Sequence, residues 1–391
     1  MKKEELQRHL DEKILPFWNS LRDYSFGGYY GYVDYELRVN KEAVKGSILN
    51  SRILWFYSNL YMLEEKAELK SYAEHAFTFL KDAFWDQEYG GVYWSVNYEG
   101  TVSDDTKHTY AQAFALYGLS SYYAISKNQE ALELAQKIYQ IIEGKCQDEY
   151  GYQEGFTRTF VLKDNKKLSE NGVEAQKTMN TLLHVFEAYT EFYRVTRYEA
   201  VAKSLYEILD IFEKKVYNPK LRRQEVFFDA GCNSILDLHS YGHDIEATWL
   251  IDRGCEVLGD IELAKRMNVI TDDLTDKVFE RAYTGVYLLN ECEKGIDDTT
   301  SVWWVQAESV VGFMNGYQKH PEKKEYYDAV KQLWGYILEN MVDHRNGSEW
   351  FWALDKDANP IEGRPIVESW KCPYHNGRMC IEMIRRLEDH A

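Results

Sequence analysis

One segment of the chain, HSYGHDIEATWLIDR at residues 239–253, places a histidine and a carboxylate one helical turn apart. His243 and Glu246 are three positions apart, so on a helix their side chains can face the same way. Ser240, which precedes Gly242, is a plausible helix start. Imidazole is the side chain whose charged and neutral forms are both available near neutral pH. Taken alone, however, the segment would favour a buried, hydrogen-bonded core histidine.

A metal site is the other alternative for this segment, because His239, His243 and Glu246 together have ligand-like spacing. Gly242 puts His239 on the turn that precedes the helix, and the chain contains no H-E-x-x-H pattern. We therefore predict that the site binds no metal ion.

A second histidine, His375, lies in the segment WKCPYHNGRMC at residues 370–380. It comes after a proline and directly before Asn-Gly, which predicts a junction between a loop and a helix. Loop ends that are held by rigid helices are common positions for catalytic residues. The alternative is an exposed turn histidine with no chemical role.

Polar residues also occur on helices that are otherwise apolar. Asn180, His184 and Glu187 fall at i, i+4 and i+7 in TMNTLLHVFEAYTEF, as a polar stripe beside an apolar one. A solvated outer face is the ordinary explanation, but Asn and His are less usual there than Lys and Glu, so an inward-facing stripe is an equal alternative. Arg52 is a single cation in SILNSRILWFYSNLY, and a buried arginine needs an anionic or strongly polar partner. A structural ion pair and a clamp for an oxyanion both remain open.

Tryptophans accompany these candidate groups. Trp303 and Trp304 begin WWVQAESVVGF, with Glu308 one turn beyond, and Trp249 and Trp370 flank the two histidine segments. Flat aromatic faces suit the faces of sugar rings, and aromatic residues make up 15% of the chain. Core packing is the alternative for each tryptophan, so the pattern favours a sugar site only in combination with the polar residues.

The composition excludes several classes of protein. Forty-six basic against 64 acidic residues leave a net charge of −18, which argues against nucleic acid as a partner. No stretch approaches the roughly 18 apolar residues of a membrane span, and the charged N-terminal segment does not read as a signal peptide. The six cysteines include no C-x-x-C pair, as expected for reduced thiols. We expect a soluble, cytoplasmic protein, either a monomer or a homodimer, that binds no membrane.

The elements that must position these residues are predicted to be helices. Residues 131–142 and 179–193 carry apolar side chains with a helical period, whereas the long alternating runs of a large sheet and the G-x-G-x-x-G fingerprint are missing. A short aromatic turn segment, which we interpret as a hairpin, recurs roughly 60–75 residues apart. Its six copies are Phe26–Val33, Tyr89–Val96, Tyr150–Phe156, Glu225–Ala230, Thr284–Asn290 and Asn346–Ala353.

Each interval between these hairpins has room for two helices, which predicts six helix pairs. Helix pairs that cannot bury an apolar face alone must stack on their neighbours, and six of them can close into an all-α (α/α)6 barrel. An open superhelix is the alternative. We favour closure because polar residues on apolar helices are typical of the lining of a central cavity. No linker interrupts the sequence, so we predict a single domain over residues 1–391.

Several of these segments together resemble the cellobiose 2-epimerases, within the wider N-acylglucosamine 2-epimerase superfamily. The motifs are NSRILWFYSN, TMNTLLHVFEAY, HSYGHDIEATWL, WWVQAE and WKCPYHNGR, which occur in the order of that family and span nearly the whole chain. The resemblance implies an (α/α)6 barrel, the fold that the repeats predict independently. It also implies an isomerase that needs no cofactor and reversibly epimerises C2 of the reducing-end glucose of cellobiose and related β-1,4-linked disaccharides such as lactose.

The resemblance also implies roles for individual residues. By position, His243 and His375 match the acid/base histidines of that family, and Arg52 with His184 match its enediolate-stabilising pair. The substrate-contacting positions match Asn180, Glu246, Trp304 and Trp370, and less closely Tyr110 and Glu308. Trp249 and Trp303 join this predicted set as flanking aromatics.

The chemistry explains why such residues would be needed. The C2 proton is acidic only when C1 is a carbonyl, so the closed sugar ring must first open, for which His375 is the candidate. Removal of that proton leaves an enediolate, which Arg52 and His184 would stabilise. Glu246 would orient the imidazole of His243. To invert C2, the proton must return on the opposite face, through a second base or through rotation of the intermediate.

Three other functions use parts of the same pattern. An aldose–ketose isomerase, or an epimerase acting on N-acylglucosamine or mannose, would share the enediolate chemistry. A glycoside hydrolase needs a pair of carboxylates around the scissile bond and gives the histidines no task. A sugar-binding protein without activity would need the tryptophans but not the two histidines.

Overall fold

The helices of this chain come in pairs with very short links. The computed structural model describes residues 1–164, 167 and 172–388. Four of its helices are 18 residues long, end at a residue in the left-handed region and are followed two residues later by the next helix. In each case the amide of that residue donates to a carbonyl of the last turn, which caps the helix. The capping residues are Glu65, Lys127, Arg197 and Gly259.

Twelve helices alternate between an inner and an outer ring in the described part of the chain. The inner helices are α2 (Ser47–Glu64), α4 (Thr109–Ser126), α6 (Met179–Thr196), α8 (Tyr241–Leu258), α10 (Trp303–Lys319) and α12 (His375–Glu388). The outer helices, most of which contain a π-helical turn, are α1 (Lys3–His9, Leu10–Ile14 and Leu15–Ser20), α3 (Ala67–Phe79 and Leu80–Phe84), α5 (Gln129–Ile141 and Ile142–Cys146), α7 (Glu199–Ile211 and Phe212–Val216), α9 (Ile261–Ala282) and α11 (Lys324–Tyr336 and Ile337–Met341).

The two rings differ in how their side chains are buried. In inner helix α2 every residue from Ser47 to Leu60 is buried, because the helix packs against others on one side and faces the barrel interior on the other. Outer helix α5 instead buries one stripe, which includes Ala131, Leu134 and Ile138. The helical period predicted for residues 131–142 is therefore the inner face of an outer helix. None of the helices in the described residues is both long and apolar enough to span a membrane.

The ring of inner helices closes on itself. Each inner helix packs against the next one in the chain, and the last, α12, packs against α2 and also against α1. Helix α1 thus supplies the outer partner of α12, so the two ends of the chain complete the sixth pair. This arrangement confirms the predicted (α/α)6 barrel and excludes the open superhelix.

Short strands join neighbouring repeats at the end of the barrel where the inner helices begin. The strand just before an inner helix pairs with a strand of the following repeat, as β1 with β2 and β8 with β11. The strands are β1 (Lys45–Gly46), β2 (Ser95–Val96), β3 (Val102–Asp104), β4 (Lys107–His108), β5 (Gln147–Asp148), β6 (Gly151–Tyr152), β7 (Gly155–Phe156), β8 (Lys177–Thr178), β9 (Tyr217–Asn218), β10 (Arg223–Gln224), β11 (Phe227–Phe228), β12 (Leu238–Ser240), β13 (Glu291–Glu293), β14 (Ile296–Asp298), β15 (Ser301–Val302) and β16 (Ala353–Leu354).

Five of the six predicted hairpin segments contain the returning strand of a small antiparallel hairpin or bridge. The fourth prediction, Glu225–Ala230, was wrong by several residues. The hairpin of that repeat pairs Tyr217–Asn218 with Arg223–Gln224, and the side chain of Asn218 caps its turn. The aromatic pair Phe227–Phe228 belongs to the next strand, which pairs with β8. The aromatic pattern alone did not distinguish a hairpin strand from a strand that joins two repeats.

Glycines allow the inner helices to approach one another closely. A Cβ atom added at Gly118 of α4 would lie 2.7 Å from the carbonyl oxygen of Ser51 in α2. We expect Gly118→Ala to lower the free energy of unfolding by about 1–3 kcal/mol, because the backbone of α2 would have to move. Urea denaturation followed by circular dichroism measures the change.

Gly335→Ala is the matched control for this substitution. Gly335 lies in outer helix α11, is exposed and has open space at its Cβ position. Alanine favours helix over glycine, so the control should gain about 0.5–1 kcal/mol. A Gly118→Ala variant at least as stable as the wild type would contradict the close approach of α2 and α4.

Candidate active site

A cavity of about 480 Å³ opens at the end of the barrel where the inner helices begin. Each of the six inner helices contributes a lining residue from its first two turns, and strands and loops that precede the helices complete the wall. Ten of the predicted site residues line this cavity: Arg52, Tyr110, Asn180, His184, His243, Glu246, Trp303, Trp304, Trp370 and His375. Residues far apart in the sequence therefore meet in one place because all inner helices point the same way.

His375 is the first residue of α12, as its position before Asn-Gly predicts. Its Nδ1 lies 2.7 Å from Oε1 of Glu308 in α10. The other oxygen of Glu308 accepts a hydrogen bond from the indole nitrogen of Trp249, at 3.0 Å. Because the carboxylate takes up Nδ1, Nε2 is the nitrogen of His375 that remains for chemistry in the cavity.

Trp249 and Glu308 are corrections to the predicted substrate contacts. Both are buried, and neither is among the residues that line the cavity. Trp249 packs its ring against the Arg378 guanidinium, 4.8 Å from the ring centre, and uses its only donor on Glu308. The two residues thus lie one layer behind the cavity wall, where they hold His375 instead of touching a ligand.

His243 is held differently from the arrangement that its spacing predicts. Its Nδ1 lies 2.7 Å from the hydroxyl oxygen of Ser240, the residue that precedes α8. Glu246 does not orient His243: the carboxylate of Glu246 instead accepts a hydrogen bond from Arg378 and comes within 4.0 Å of Nδ1 of His375. His243 and Glu246 do lie one helical turn apart, but the carboxylate of Glu246 bonds the guanidinium of Arg378 on α12 and not the imidazole of His243.

Trp304 lies beside both histidines. Its ring centre is 4.7 Å from that of His243 and 5.4 Å from that of His375. Gly242 makes room for this ring, since a Cβ atom there would come within 2.5 Å of the indole. Two imidazoles from α8 and α12 and one aromatic face from α10 therefore meet in the same part of the cavity.

The stripe on α6 faces inward. Nδ1 of His184 is 2.8 Å from the carboxylate of Glu187, and the imidazole packs against the rings of Tyr110 and Phe114. The side-chain oxygen of Asn180, one turn before His184, is buried and has no hydrogen-bond partner among the described residues. The solvated outer face is thereby excluded, and Asn180 offers the cavity a free hydrogen-bond acceptor.

Arg52 is a buried cation that forms no ion pair with the described residues. Its guanidinium donates to the hydroxyl of Tyr110 at 2.8 Å and to the carbonyl of Trp370 at 3.1 Å. It also lies over the rings of Phe114 and Tyr374, 4.1 and 4.5 Å from their centres. This excludes the structural ion pair that the sequence left open and leaves a positive charge at the cavity wall.

Arg378, which is not among the predicted site residues, connects the carboxylates behind the cavity. Its guanidinium donates to Glu187 at 2.5 Å and to Glu308 at 2.7 Å, and it also contacts Glu246 and the hydroxyl of Tyr374. The three carboxylates come from α6, α10 and α8. The available signal was its place in the HNGR motif, one turn after His375 on the same helix.

Burial sets the protonation of the three cavity histidines. It lowers the pKa of His243 to about 3. It also lowers the pKa of His184, and for His375 burial and the charges of Arg378 and Arg52 act in the same direction. All three imidazoles are therefore neutral near pH 7 in the free protein, with a lone pair available to accept a proton.

The carboxyl groups in the same region differ in the direction of their pKa shifts. Burial would raise the pKa of Glu187, but the charge of Arg378 and the contacts with His184 and Tyr374 together outweigh it and bring the pKa to about 2. Burial and the nearby charge of Glu308 raise the pKa of Glu246. Within the part of the chain that the structure describes, Oε2 of Glu246 has no hydrogen-bond partner, and Glu246 belongs to the cavity wall, so this oxygen is available to a ligand hydroxyl.

The metal site that the sequence left as an alternative, formed by His239, His243 and Glu246, does not form in the structure. His239 bonds Asp244 at 2.7 Å and is not a cavity residue, so it does not join His243 and Glu246. A different group, Glu246, Glu308 and His375, could offer three ligand atoms within 4.8 Å of one another. Arg378 already donates to both of these carboxylates and supplies the positive charge that they need.

Because Arg378 already bonds the carboxylates of Glu246 and Glu308, we predict that divalent cations do not stabilise the fold. We expect dialysis against EDTA to leave the midpoint of thermal unfolding unchanged within about 1 °C, because a bound metal would otherwise contribute binding free energy to the folded state. Differential scanning calorimetry before and after dialysis measures this. A lower midpoint that added Zn²⁺ or Mn²⁺ restores would show that a metal competes with Arg378.

Comparisons with known proteins agree over the whole chain. The pattern of the N-acylglucosamine 2-epimerase family matches residues 28–375. Cellobiose 2-epimerase of Ruminococcus albus is 48% identical over 385 residues, which cover 98% of this chain and 99% of that protein.

Solved structures agree with this match. A sugar epimerase from a ruminal bacterium is 48% identical, with a TM-score of 0.97 and 99% of each chain covered. Cellobiose 2-epimerase of Bacillus thermoamylovorans is 43% identical, with a TM-score of 0.94 over 98% of this chain and 99% of that one. The chain therefore belongs to the N-acylglucosamine 2-epimerase family and is a carbohydrate epimerase.

Proposed function

We propose that this enzyme reversibly inverts C2 of the reducing-end glucose of cellobiose and related β-1,4-linked disaccharides, such as lactose, to the mannose counterpart. The observation that carries the proposal is the pair His243 and His375, which reach one cavity from different helices beside the ring of Trp304. An epimerase must remove a proton from one face of a carbon and return one to the other face. Two neutral imidazoles on separate helices suit that task.

The first step is opening of the sugar ring. A proton leaves O1 and one is delivered to O5, so the group responsible must both accept and donate. Nε2 of His375 is suited to this, because Nδ1 is bonded to Glu308 and keeps its proton whether the ring is neutral or charged. The open chain then has a carbonyl at C1, which makes the C2 proton acidic.

Removal of the C2 proton leaves an enediolate, whose negative charge needs preorganised donors. Arg52 supplies a buried positive charge that has no carboxylate partner in the described ranges 1–164, 167 and 172–388. All six inner helices also begin at the cavity, so the positive ends of their dipoles converge on it. His184 lies beside Tyr110, the hydroxyl partner of Arg52, and completes the polar wall. Such preorganised stabilisation contributes about 3–4 kcal/mol per donor in other enzymes.

Inversion then requires a proton on the opposite face. In one direction His243 accepts the C2 proton, and His375, whose Nε2 takes up a proton from solvent once the sugar ring is open, donates that proton to the other face. In the reverse direction the two histidines exchange roles, and proton exchange with solvent resets the pair. The free acceptor of Asn180 and the free oxygen of Glu246 are placed to bond sugar hydroxyls, with Trp370 and Trp304 as apolar faces.

Turnover in deuterated water tests the reaction. Cellobiose incubated with the enzyme and followed by NMR should give a product with a mannose reducing end that carries deuterium at C2. A ketose as the main product would mean that the proton returns to C1, as in an aldose–ketose isomerase. Free glucose would indicate hydrolysis, and unchanged cellobiose would refute the proposal for this substrate.

Single substitutions test the two histidines. His243→Ala and His375→Ala should each lower kcat by at least about 100-fold, because each removes one of the two proton carriers, while the circular dichroism spectrum stays that of the wild type. His344→Ala is the matched control, since His344 is exposed and bonds only the carbonyl of Leu338. Either cavity variant with the activity of this control would remove its histidine from the mechanism.

A further inference from the structure

Arg378 has no task in the reaction as described, although it is among the most buried charged residues. Its side chain is 1% exposed and is not part of the cavity wall. It therefore does not touch the sugar. A guanidinium buried at this depth still requires a reason, since removing charge from water is costly unless its partners are ideal.

The two terminal nitrogens of Arg378 point to two different histidines through carboxylates. Nη1 donates to Glu187, whose other oxygen is 2.8 Å from Nδ1 of His184. Nη2 donates to Glu308, and the same oxygen of Glu308 is 2.7 Å from Nδ1 of His375. One planar cation thus lies between two carboxylate–imidazole pairs. Arginine suits this place because its fork of donors is rigid.

The protonation of these carboxylates decides which nitrogen of each imidazole carries the proton. An ionised carboxylate only accepts hydrogen bonds, so it keeps the proton of the neutral imidazole on Nδ1 and leaves the lone pair on Nε2. A buried carboxylate without a cation tends to take up a proton. It would then donate to Nδ1, and the imidazole would carry its own proton on Nε2. That tautomer cannot accept a proton in the cavity, a fault that is severe in other histidine–carboxylate pairs.

We propose that Arg378 is a positioning residue that fixes the reactive tautomer of both His375 and His184, by keeping the carboxylates of Glu308 and Glu187 ionised. The inference rests on the proposed epimerase reaction for its kinetic consequences. It assigns a single buried cation to two histidines on different helices. Arg378 does not set the tautomer of His243, because Nδ1 of His243 contacts the hydroxyl of Ser240 and not a carboxylate.

The surroundings of Arg378 support this assignment. The charged groups that face it are Glu187 from α6, Glu246 from α8 and Glu308 from α10, and Tyr374 faces it from the position just before α12. Burial raises the pKa of Glu187, but the charge of Arg378, the largest opposing effect, acts together with His184 and Tyr374 and holds the pKa of that carboxyl at about 2. At Glu308 burial keeps the pKa above its usual value, and the charge of Arg378 is the largest effect that opposes this rise.

Substitution of Arg378 tests the proposal. Arg378→Met should lower kcat for epimerisation near pH 7 by about 100-fold or more, with KM changed by no more than about threefold, because the sugar does not contact Arg378. Its kcat/KM should then rise with pH between about 6 and 9, as Glu308 and Glu187 lose their protons. A defect that is only structural would lower activity without this change in the pH profile.

Two further variants sharpen the kinetic test. Arg378→Lys keeps the charge but not the fork, so it should retain more activity than Arg378→Met at every pH. Arg385→Met is the matched control on the same helix, since Arg385 bonds Glu382 and Asn59 away from the cavity. It should show the wild-type profile. Equal activity of the two Arg378 variants, or a wild-type pH profile for both, would overturn the proposal.

Nitrogen NMR of the labelled imidazoles provides a readout that needs no turnover. At about pH 7.5, His375 and His184 should be Nδ1–H tautomers in the wild type and shift towards Nε2–H in Arg378→Met, while His243 stays unchanged. If Arg378→Met does not fold, Arg378→Gln, which also removes the charge, takes its place in this comparison. Unchanged tautomers would overturn this inference, whereas absence of deuterium exchange in the wild type would refute only the proposed reaction.

Discussion

The buried contact of Arg378 with three carboxylates is the interaction on which the rest of this structure depends. One cation from α12 meets Glu187 from α6, Glu246 from α8 and Glu308 from α10 in a region closed to solvent. An unpaired charge there would be strongly destabilising, so the four helices must keep their relative positions. The same contacts place His375, one turn away on α12. The same contacts therefore hold the ring of inner helices closed and place the acid/base histidine.

The direction of the inner helices explains why the cavity lies where it does. Five of the six inner helices, α2 to α10, directly follow a short strand that pairs with the next repeat, and all six begin at the same end of the barrel. Their unpaired amides and positive dipole ends face that end. A buried Arg52 without a carboxylate adds to the positive potential. The barrel thus offers a transient enediolate a site that is already polarised, and the three neutral imidazoles beside it remain able to accept protons.

Local patterns and long-range contacts were predictable to different degrees. The helical period of residues 131–142 correctly predicted an amphipathic helix, because its buried stripe depends on neighbours three and four positions apart. The spacing of His243 and Glu246 predicted a pair that does not form, since Glu246 bonds Arg378, 132 residues away. A hairpin prediction at Glu225–Ala230 failed for a related reason. The strand that pairs with that segment belongs to a different repeat.

The sequence by itself determined the helix pairs, the closed barrel and the two histidines in their motifs, because these follow from periodicity, repeat length and resemblance to a family. Only the tertiary structure decided the partners of the ionisable side chains. It joined His375 to Glu308, 67 residues apart, placed Trp249 behind the cavity wall and bonded Arg52 to the hydroxyl of Tyr110. The physical reason is distance. Proton affinity depends on charges and burial within a few ångströms, and those neighbours come from helices that only the closed ring brings together.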